Sequence, residues 1–180
     1  PMGFTFDTYV SRSQWETYSE SDRCNLLLRA LVLEDDAVET YQKDMQKLPD
    51  AVHQMSDEDL LAECTERAKT ACDSFTYNSK GFHATISTDH ANLVFFSVPW
   101  EEGWSAEVNG EPVEIEKVDT GFMAVPVNAG NSEIVFTYHT PGLKTGALLS
   151  LGGLVLFIGY LSIAYLLKKK STSSPEVTVC

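Results

Sequence analysis

The apolar positions along this chain change period twice. Up to about residue 73 they fall at helical spacing: Leu26, Leu27, Leu28, Ala30, Leu31 and Leu33 form one apolar face, and Leu60, Leu61, Cys64, Ala68 and Ala71 form another. Each face follows a serine-led box, Ser19-Glu20-Ser21-Asp22 and Ser56-Asp57-Glu58-Asp59, and Ser13-Gln14-Trp15-Glu16 has the same S-x-x-acid form. In such a box the hydroxyl accepts from the N3 backbone N–H and the N3 side chain reaches back to the cap, so each marks a helix start. Asp36 can cap a third, mainly polar helix running to Leu48, where Pro49 stops it. The pattern predicts a mainly helical segment over residues 1–73.

From Phe75 the period becomes two and turn signals arrive at short intervals, which is the pattern of a small antiparallel β domain. The expected strands are Phe75 to Asn78, Phe82 to Thr88, Leu93 to Val98, Trp104 to Val108, Pro112 to Val118, Phe122 to Val127 and Glu133 to His139. Asn109-Gly110 suits a two-residue type I′ turn, in which both central residues need positive φ. Pairing outward from that turn sets Ala106 opposite Val113 and Trp104 opposite Ile115 on an apolar face, with Ser105 opposite Glu114 on a polar one. A one-residue slip would mix the faces, so the turn and the side-chain pattern specify the same register. A second turn is expected at Asn128-Ala129-Gly130-Asn131, and Thr140-Pro141-Gly142 ends the sheet.

The second change is to no period at all. Thr145 to Leu167 is a run of 23 residues without a charge. As a helix it covers roughly 35 Å, enough for a hydrocarbon core of about 30 Å, and Tyr160 and Tyr165 lie toward its far end, where an amphipathic ring reaches the interface. The fold class expected is therefore α+β: an N-terminal helical segment (1–73), an antiparallel β-sandwich-like domain (74–142), one transmembrane helix (143–167) and a short tail (168–180). The β domain is expected to sit directly on the bilayer. Residues 171–175, STSSP, read as a linker-like, disordered start to the tail.

Charge orients this arrangement. Residues 1–142 hold 9 Lys and Arg against 25 Asp and Glu, whereas Lys168-Lys169-Lys170 abut the apolar run. The lysines predict a cytoplasmic C-terminus and an extracytoplasmic location for residues 1–142. Pro1 to Arg12 has neither the basic nor the apolar region of a signal peptide, so the expectation is that a longer membrane protein supplies the translocating part upstream. An acid excess of this size disfavours nucleic acid and anionic headgroups as partners.

Candidate chemistry is sparse. There is no phosphate loop, CxxC or G-x-S-x-G, and His53, His83, His90 and His139 lack the spacing of a zinc site. Glu34-Asp35-Asp36 and Asp57-Glu58-Asp59 lack the alternating ligands and glycine of a calcium loop, and read as solvated helix starts. No metal, cofactor or catalytic residue is expected. Cys64 and Cys72 on one helix would stand roughly 12 Å apart, too far for a disulfide; Cys24 with either, or free thiols, remain open. Cys180 ends the chain without forming a C-a-a-X box. The cluster with most chemical content is Trp100, Glu101, Glu102 and Trp104, since aromatic faces beside carboxylates can stack on a sugar and accept its hydroxyl hydrogen bonds. The plainer reading, which the hairpin register favours, is a loop whose Trp104 enters the core.

An ordered series of motifs is similar to a known family. Leu93 to Trp100 with Gly103-Trp104, then Val108-Asn109-Gly110, Gly121 to Val125, Ala129-Gly130 and Phe136 to Leu143 before a last membrane span resembles the C-terminal region of the YfhO family of polytopic bacterial membrane proteins. Pro1 to Phe4 and Asn78 to Phe82 fit it too; the likeness is strong from Phe75 to Leu167 and looser before. The resemblance implies a glycosyltransferase-like parent of the GT-C type. Such a protein would use a polyprenyl-phosphate sugar to glycosylate lipoteichoic acid or a related cell-envelope polymer. Its catalytic carboxylate would lie in an early loop upstream of Pro1, so none is carried onto this chain. The partners implied are membrane lipid, the remaining transmembrane part of the parent, and an envelope polysaccharide or polyprenyl-linked sugar. The alternative from another class is a membrane-anchored carbohydrate-binding or structural envelope module, and a third is a transporter-associated domain.

Overall fold

Serine caps and an Asn-Gly turn set the local structure much as their chemistry requires. The computed structural model describes residues 2–49 and 56–172. His53, the tail beyond Thr172 and Cys180 lie outside the described residues. The chain divides into two units, Pro1–His139 and Thr140–Cys180.

In the first unit the order is β1 (Gly3–Thr5), β2 (Thr8–Ser11), α1 (Arg12–Glu16), α2 (Glu20–Leu26), β3 (Leu31–Leu33), α3 (Asp35–Tyr41), β4 (Gln46–Lys47) and α4 (Asp57–Lys69). There follow β5 (Ser74–Asn78), β6 (Gly81–Thr88), β7 (Asn92–Pro99), β8 (Trp104–Val108), β9 (Glu111–Val113), β10 (Glu116–Val118), β11 (Phe122–Val127) and β12 (Gly130–Tyr138). The fold is mixed α+β: two β-sheets with short N-terminal helices.

The mainly helical segment expected over 1–73 is the principal correction. Leu31-Val32-Leu33 forms a fully buried strand, and α2 ends at Leu26. A short continuous apolar run fits a doubly buried strand as well as a helix face, and periodicity cannot separate the two. β2 pairs in parallel with β3 and with β4, so the short helices between them act as crossovers. Ser11 rather than Ser13 caps α1, Glu34 stands at the N-cap of α3, and α3 ends at Tyr41 instead of running to Leu48. Ser19 and Ser56 cap as expected, with a full capping box at Ser56 and Asp59.

The larger sheet has the order β1-β7-β11-β10-β3-β2-β4 and is mixed rather than purely antiparallel; the smaller, β5-β6-β12-β8-β9, is antiparallel throughout. Alternate residues of β7 and β11 (Val94, Phe96, Met123, Val125) pack between the sheets with Phe82, Ile86, Ile134 and Phe136. Their other faces (Leu93, Phe95, Ala124) join Phe6, Leu31, Leu33 and Tyr41 in a second core. β7 is thus buried on both sides, which is why its sequence reads as an unbroken apolar run.

At the hairpin, Asn109 and Gly110 have φ of 54° and 81°, and Ala106 pairs with Val113 as the register predicts. The ladder stops there. Pro112 to Val118 is not one strand, because β9 stays in the small sheet while β10 enters the large one, so the pairings expected for Trp104 and Ser105 do not form. Trp104 pairs instead with Tyr138.

Parallel and antiparallel parts of the large sheet meet where Val118 pairs with Leu33. Next to it the Asp119 N–H donates to the Val32 carbonyl at 3.0 Å, while Asp119 Oδ1 accepts the Val32 N–H at 2.8 Å. The Tyr41 hydroxyl donates to Glu116 Oε1 at 2.8 Å across the same junction. α4 is held through its C-terminal end, where Arg67 Nη1 and the Thr70 hydroxyl donate to the Thr5 carbonyl at 2.8 and 3.0 Å.

In the second unit α5 (Leu143–Thr172) is long and apolar enough to cross a membrane over Leu143–Lys169, 27 residues. None of its most apolar stretch is buried against protein. The Ser162 hydroxyl bonds back to the Ile158 carbonyl at 2.8 Å, which satisfies a polar group within an apolar helix.

Candidate functional site

The loop between β7 and β8 carries Trp100, Glu101 and Glu102, Trp104 opens β8, and backbone hydrogen bonds fix this stretch on three sides. The Trp100 N–H donates to the Gly121 carbonyl at 2.8 Å, the Trp104 N–H closes a turn on the Glu101 carbonyl at 3.2 Å, and the His139 N–H donates to the Gly103 carbonyl at 2.8 Å. Gly103 is needed for the last of these approaches. A Cβ there would lie 2.5 Å from the His139 carbonyl oxygen and 2.6 Å from Tyr138 Cε2, well inside van der Waals contact.

Trp104 turns into the small sheet, with its ring 5.0 Å from Tyr138, 5.6 Å from Phe82 and 6.1 Å from Phe136 between centroids. Its core role holds, with ring partners from β6 and β12, although it does not pair across strands with Ile115. The half-exposed edge of Trp104 and the Glu101 side chain form a wall between two clefts. One, ≈ 570 Å³, is lined by Met2, Phe75, Tyr77, Lys80, Trp104 and Tyr138 among others. The other, ≈ 350 Å³, holds Trp100 and Glu102 together with Pro112, Val113 and Ile115. The four residues singled out from sequence are therefore neighbours, but Trp100 and Glu102 share only the smaller cleft with Glu101 and Trp104. Over Trp100 stands the Lys117 ammonium, 5.6 Å from the ring centroid.

Glu101 Oε2 accepts from the Tyr138 hydroxyl at 2.7 Å, and this bond to a carboxylate raises the Tyr138 pKa above its ordinary value. Glu101 and Glu102 are exposed, and one of them is already engaged by a neutral phenol. Paired acid and base chemistry needs two carboxyl groups held in different environments facing one substrate. What the loop presents is carboxylate oxygens beside aromatic rings. Tyr77, Lys80 and Tyr138 were not in the sequence reading of this site. Period two contains the signal, since Phe75 and Tyr77 share one face of β5, and Phe136 and Tyr138 share one face of β12.

Among the described residues no three His, Cys, Asp or Glu side chains gather as a metal site. His83 Nε2 lies 2.9 Å from Glu133 Oε1, and His90 Nε2 3.7 Å from Asp7 Oδ1. Cys24, Cys64 and Cys72 are free thiols; Cys72 is half-buried, and burial pushes its thiol up to about 11. The most perturbed carboxyl, Asp119, is buried at the sheet junction: burial raises it to about 7, against the opposing effect of the bond from the Val32 N–H. These groups stand apart from both clefts.

Residues 1–150 match the family described as Bacterial membrane protein YfhO. Among curated proteins the chain is similar to the "Uncharacterized protein YfhO" of Bacillus subtilis (strain 168), at 28% identity over 121 residues, 67% of this chain. The chain spans 13% of that relative's length. No solved structure matches it.

Proposed function

The chain belongs to the YfhO family of bacterial membrane proteins, and from that premise we propose that it is the extracytoplasmic domain and last membrane helix of a polytopic, glycosyltransferase-like protein. In this reading the whole protein transfers sugar from a polyprenyl-phosphate carrier to a cell-envelope polymer. This region is non-catalytic and contacts the envelope polysaccharide or the lipid-linked sugar. Trp100, Glu101, Glu102 and Trp104 make those contacts, joined by Tyr138 through its hydrogen bond to Glu101. The observation that carries the reading is the family match over residues 1–150, and the exposed carboxylates of Glu101 and Glu102 beside Trp100 and Trp104 support the contact assignment. The lysines in the last turns of α5 and the acidic residues before it support the orientation, with residues 1–142 outside and the C-terminus inside.

The test uses the intact protein in its own bacterium and measures the sugar content of the envelope polymers. A Trp100→Ala, Glu102→Gln variant alters exposed positions and should lower that content while the protein remains in the membrane at its normal level. Unchanged sugar content after removal of the whole protein would sink the glycosyltransferase reading. Unchanged content in the variant alone would sink only the contact assignment. Glycan binding by the protein with no sugar transfer would favour instead a membrane-anchored carbohydrate-binding or structural envelope module, which the exposed ring of Trp100 equally suits.

A further inference from the structure

Each of the two sheets has two edge strands, β1 and β4 in the larger, β5 and β9 in the smaller, and three of these four are blunted. The outer side of β1 is taken by the chain after α4: Phe4 bridges to Ala71, the Thr5 N–H donates to the Thr70 carbonyl, and the Cys72 N–H donates to the Gly3 carbonyl. β4 is two residues long, one of them Lys47. β9 is three residues long and carries Glu111 and Pro112. Short length, charge, proline and cover are the means by which a sheet edge avoids pairing with another chain. Among the described residues, β5 has none of them. Its five residues, Ser74-Phe75-Thr76-Tyr77-Asn78, are uncharged and free of proline, and all but the half-buried Phe75 are exposed.

The hydrogen-bond phase of β5 sets what can add to it. Asn78 pairs with Gly81 across the two-residue loop Ser79-Lys80, and a hairpin loop of that length is closed by a pair that exchanges both main-chain bonds. Counting back from it, Asn78, Thr76 and Ser74 bond to β6, while the N–H and C=O of Phe75 and Tyr77 point away from the sheet. The same segment of a second copy answers them. In an antiparallel pair centred on Thr76, Phe75 exchanges both bonds with the second copy's Tyr77, and Tyr77 with its Phe75. Thr76 then faces Thr76 and aromatic faces aromatic, which are favourable cross-strand pairs. A one-residue slip loses the bond phase, and a two-residue slip leaves only one bonded pair within the strand. Charge permits the approach. Asp73 and Lys80 flank β5 in the chain, and the antiparallel arrangement sets the Asp73 end of one copy toward the Lys80 end of the other. On the Thr76 face the nearest charged groups, His83 and Glu133, engage each other at 2.9 Å. Beside the aromatic face, the larger cleft holds Lys80 and Glu101, one of each sign. The acid excess of residues 1–142, 25 against 9, opposes association at long range, and salt screens it beyond about 10 Å.

We propose that β5 is a self-association edge, at which two copies of this chain join antiparallel through the main-chain groups of Phe75 and Tyr77, centred on Thr76. The bonds come from the main chain, so the side chains lining the larger cleft keep their places, and the pairing is independent of sugar transfer. Its test uses the full chain in detergent, with micelles in excess over protein and Cys24, Cys64, Cys72 and Cys180 replaced by Ser. Residues directly opposite in a non-hydrogen-bonded pair stand about 4.5 Å apart at Cα, within disulfide reach, so Thr76→Cys should form a covalent dimer on mild oxidation. Ser74→Cys should not, because its two copies lie four residues apart along the strands, roughly 13 Å. Added to Thr76→Cys, Tyr77→Pro removes an outward N–H and leaves the β6 ladder whole; the cross-link should be lost while far-UV circular dichroism stays as in the parent chain. By light scattering the chain with Thr76 in place should be a dimer, and Thr76→Lys, which sets two ammonium groups face to face, a monomer. Absence of a cross-link at position 76, or equal cross-linking at 74 and 76, overturns the proposal. A cross-link that persists with Tyr77→Pro overturns pairing through the main chain. A dimer that survives Thr76→Lys belongs to another surface and overturns the assignment to β5.

Discussion

Replacing Asp119 by Asn is expected to flatten the dependence of stability on pH between about pH 4 and pH 7. The carboxyl is buried where β10 meets β3; its Oδ1 accepts the Val32 N–H at 2.8 Å, and burial raises its pKa from 3.8 to about 7. A folded-state pKa above the unfolded one means that the folded chain holds the proton more tightly. The stability linked to that proton is fully present below about pH 4 and is lost as pH rises through about 7. A shift of about three units at 1.36 kcal/mol each puts the loss on the order of 4 kcal/mol. Asn keeps an oxygen for the Val32 N–H, carries no charge, and tolerates the φ of 46° found at this position. Asp119→Asn should therefore match the parent chain near pH 4 and exceed it at pH 8 by an amount of that order. Asp119→Ala removes the acceptor and should cost about 1–3 kcal/mol at pH 4, where the lost bond is not masked by loss of the charge. Urea unfolding of the chain in detergent micelles, followed by tryptophan emission at several pH values, measures all three. Glu116, which burial also raises, titrates in every variant and cancels in the differences. Parallel stability–pH curves for the parent and Asp119→Asn would refute the reasoning.

Two further outcomes follow from the same geometry. Gly103→Ala places a Cβ 2.5 Å from a backbone oxygen and should destabilise the unit by about 1–3 kcal/mol in the same unfolding assay, because the β7–β8 loop or the end of β12 must move. Thiol labelling of the native chain at pH 8 should modify the exposed Cys24 and Cys64 first and Cys72 far more slowly, since Cys72 is half-buried and its thiol sits at about 11; mass spectrometry of the time course checks the order.

Where local chemistry alone dictates geometry, the sequence was legible. Trp104–Val108 and Phe122–Val127 have the bounds their alternation suggests, the Asn109-Gly110 turn has both positive φ values, and Ser56 makes its box with Asp59. Where tertiary burial decides, it was not. Leu31-Val32-Leu33 becomes a strand because both of its faces are covered, a fact that lies outside its own window. The departure of β10 from β9 depends on β11 and β3 already being in place to receive it. At the site, the tryptophans and carboxylates stood out as a contiguous string, whereas Tyr77 and Tyr138 reach the cleft lined by Glu101 and Trp104 from strands far away in the chain. Only the assembled sheet brings those residues together.

The pairing of β1 with β7 has a kinetic side. Gly3, Phe4 and Thr5 take their partners from Phe96, Phe95 and Val94, so the first strand waits for residues synthesised some ninety positions later. Closing so long a loop costs more conformational entropy than a hairpin and slows folding. Within this domain, β1 cannot reach its final paired state until β7 has been synthesised. Until then the apolar side chains of β1 to β3 have no sheet to cover them, and that interval is when this domain is most open to misfolding or proteolysis.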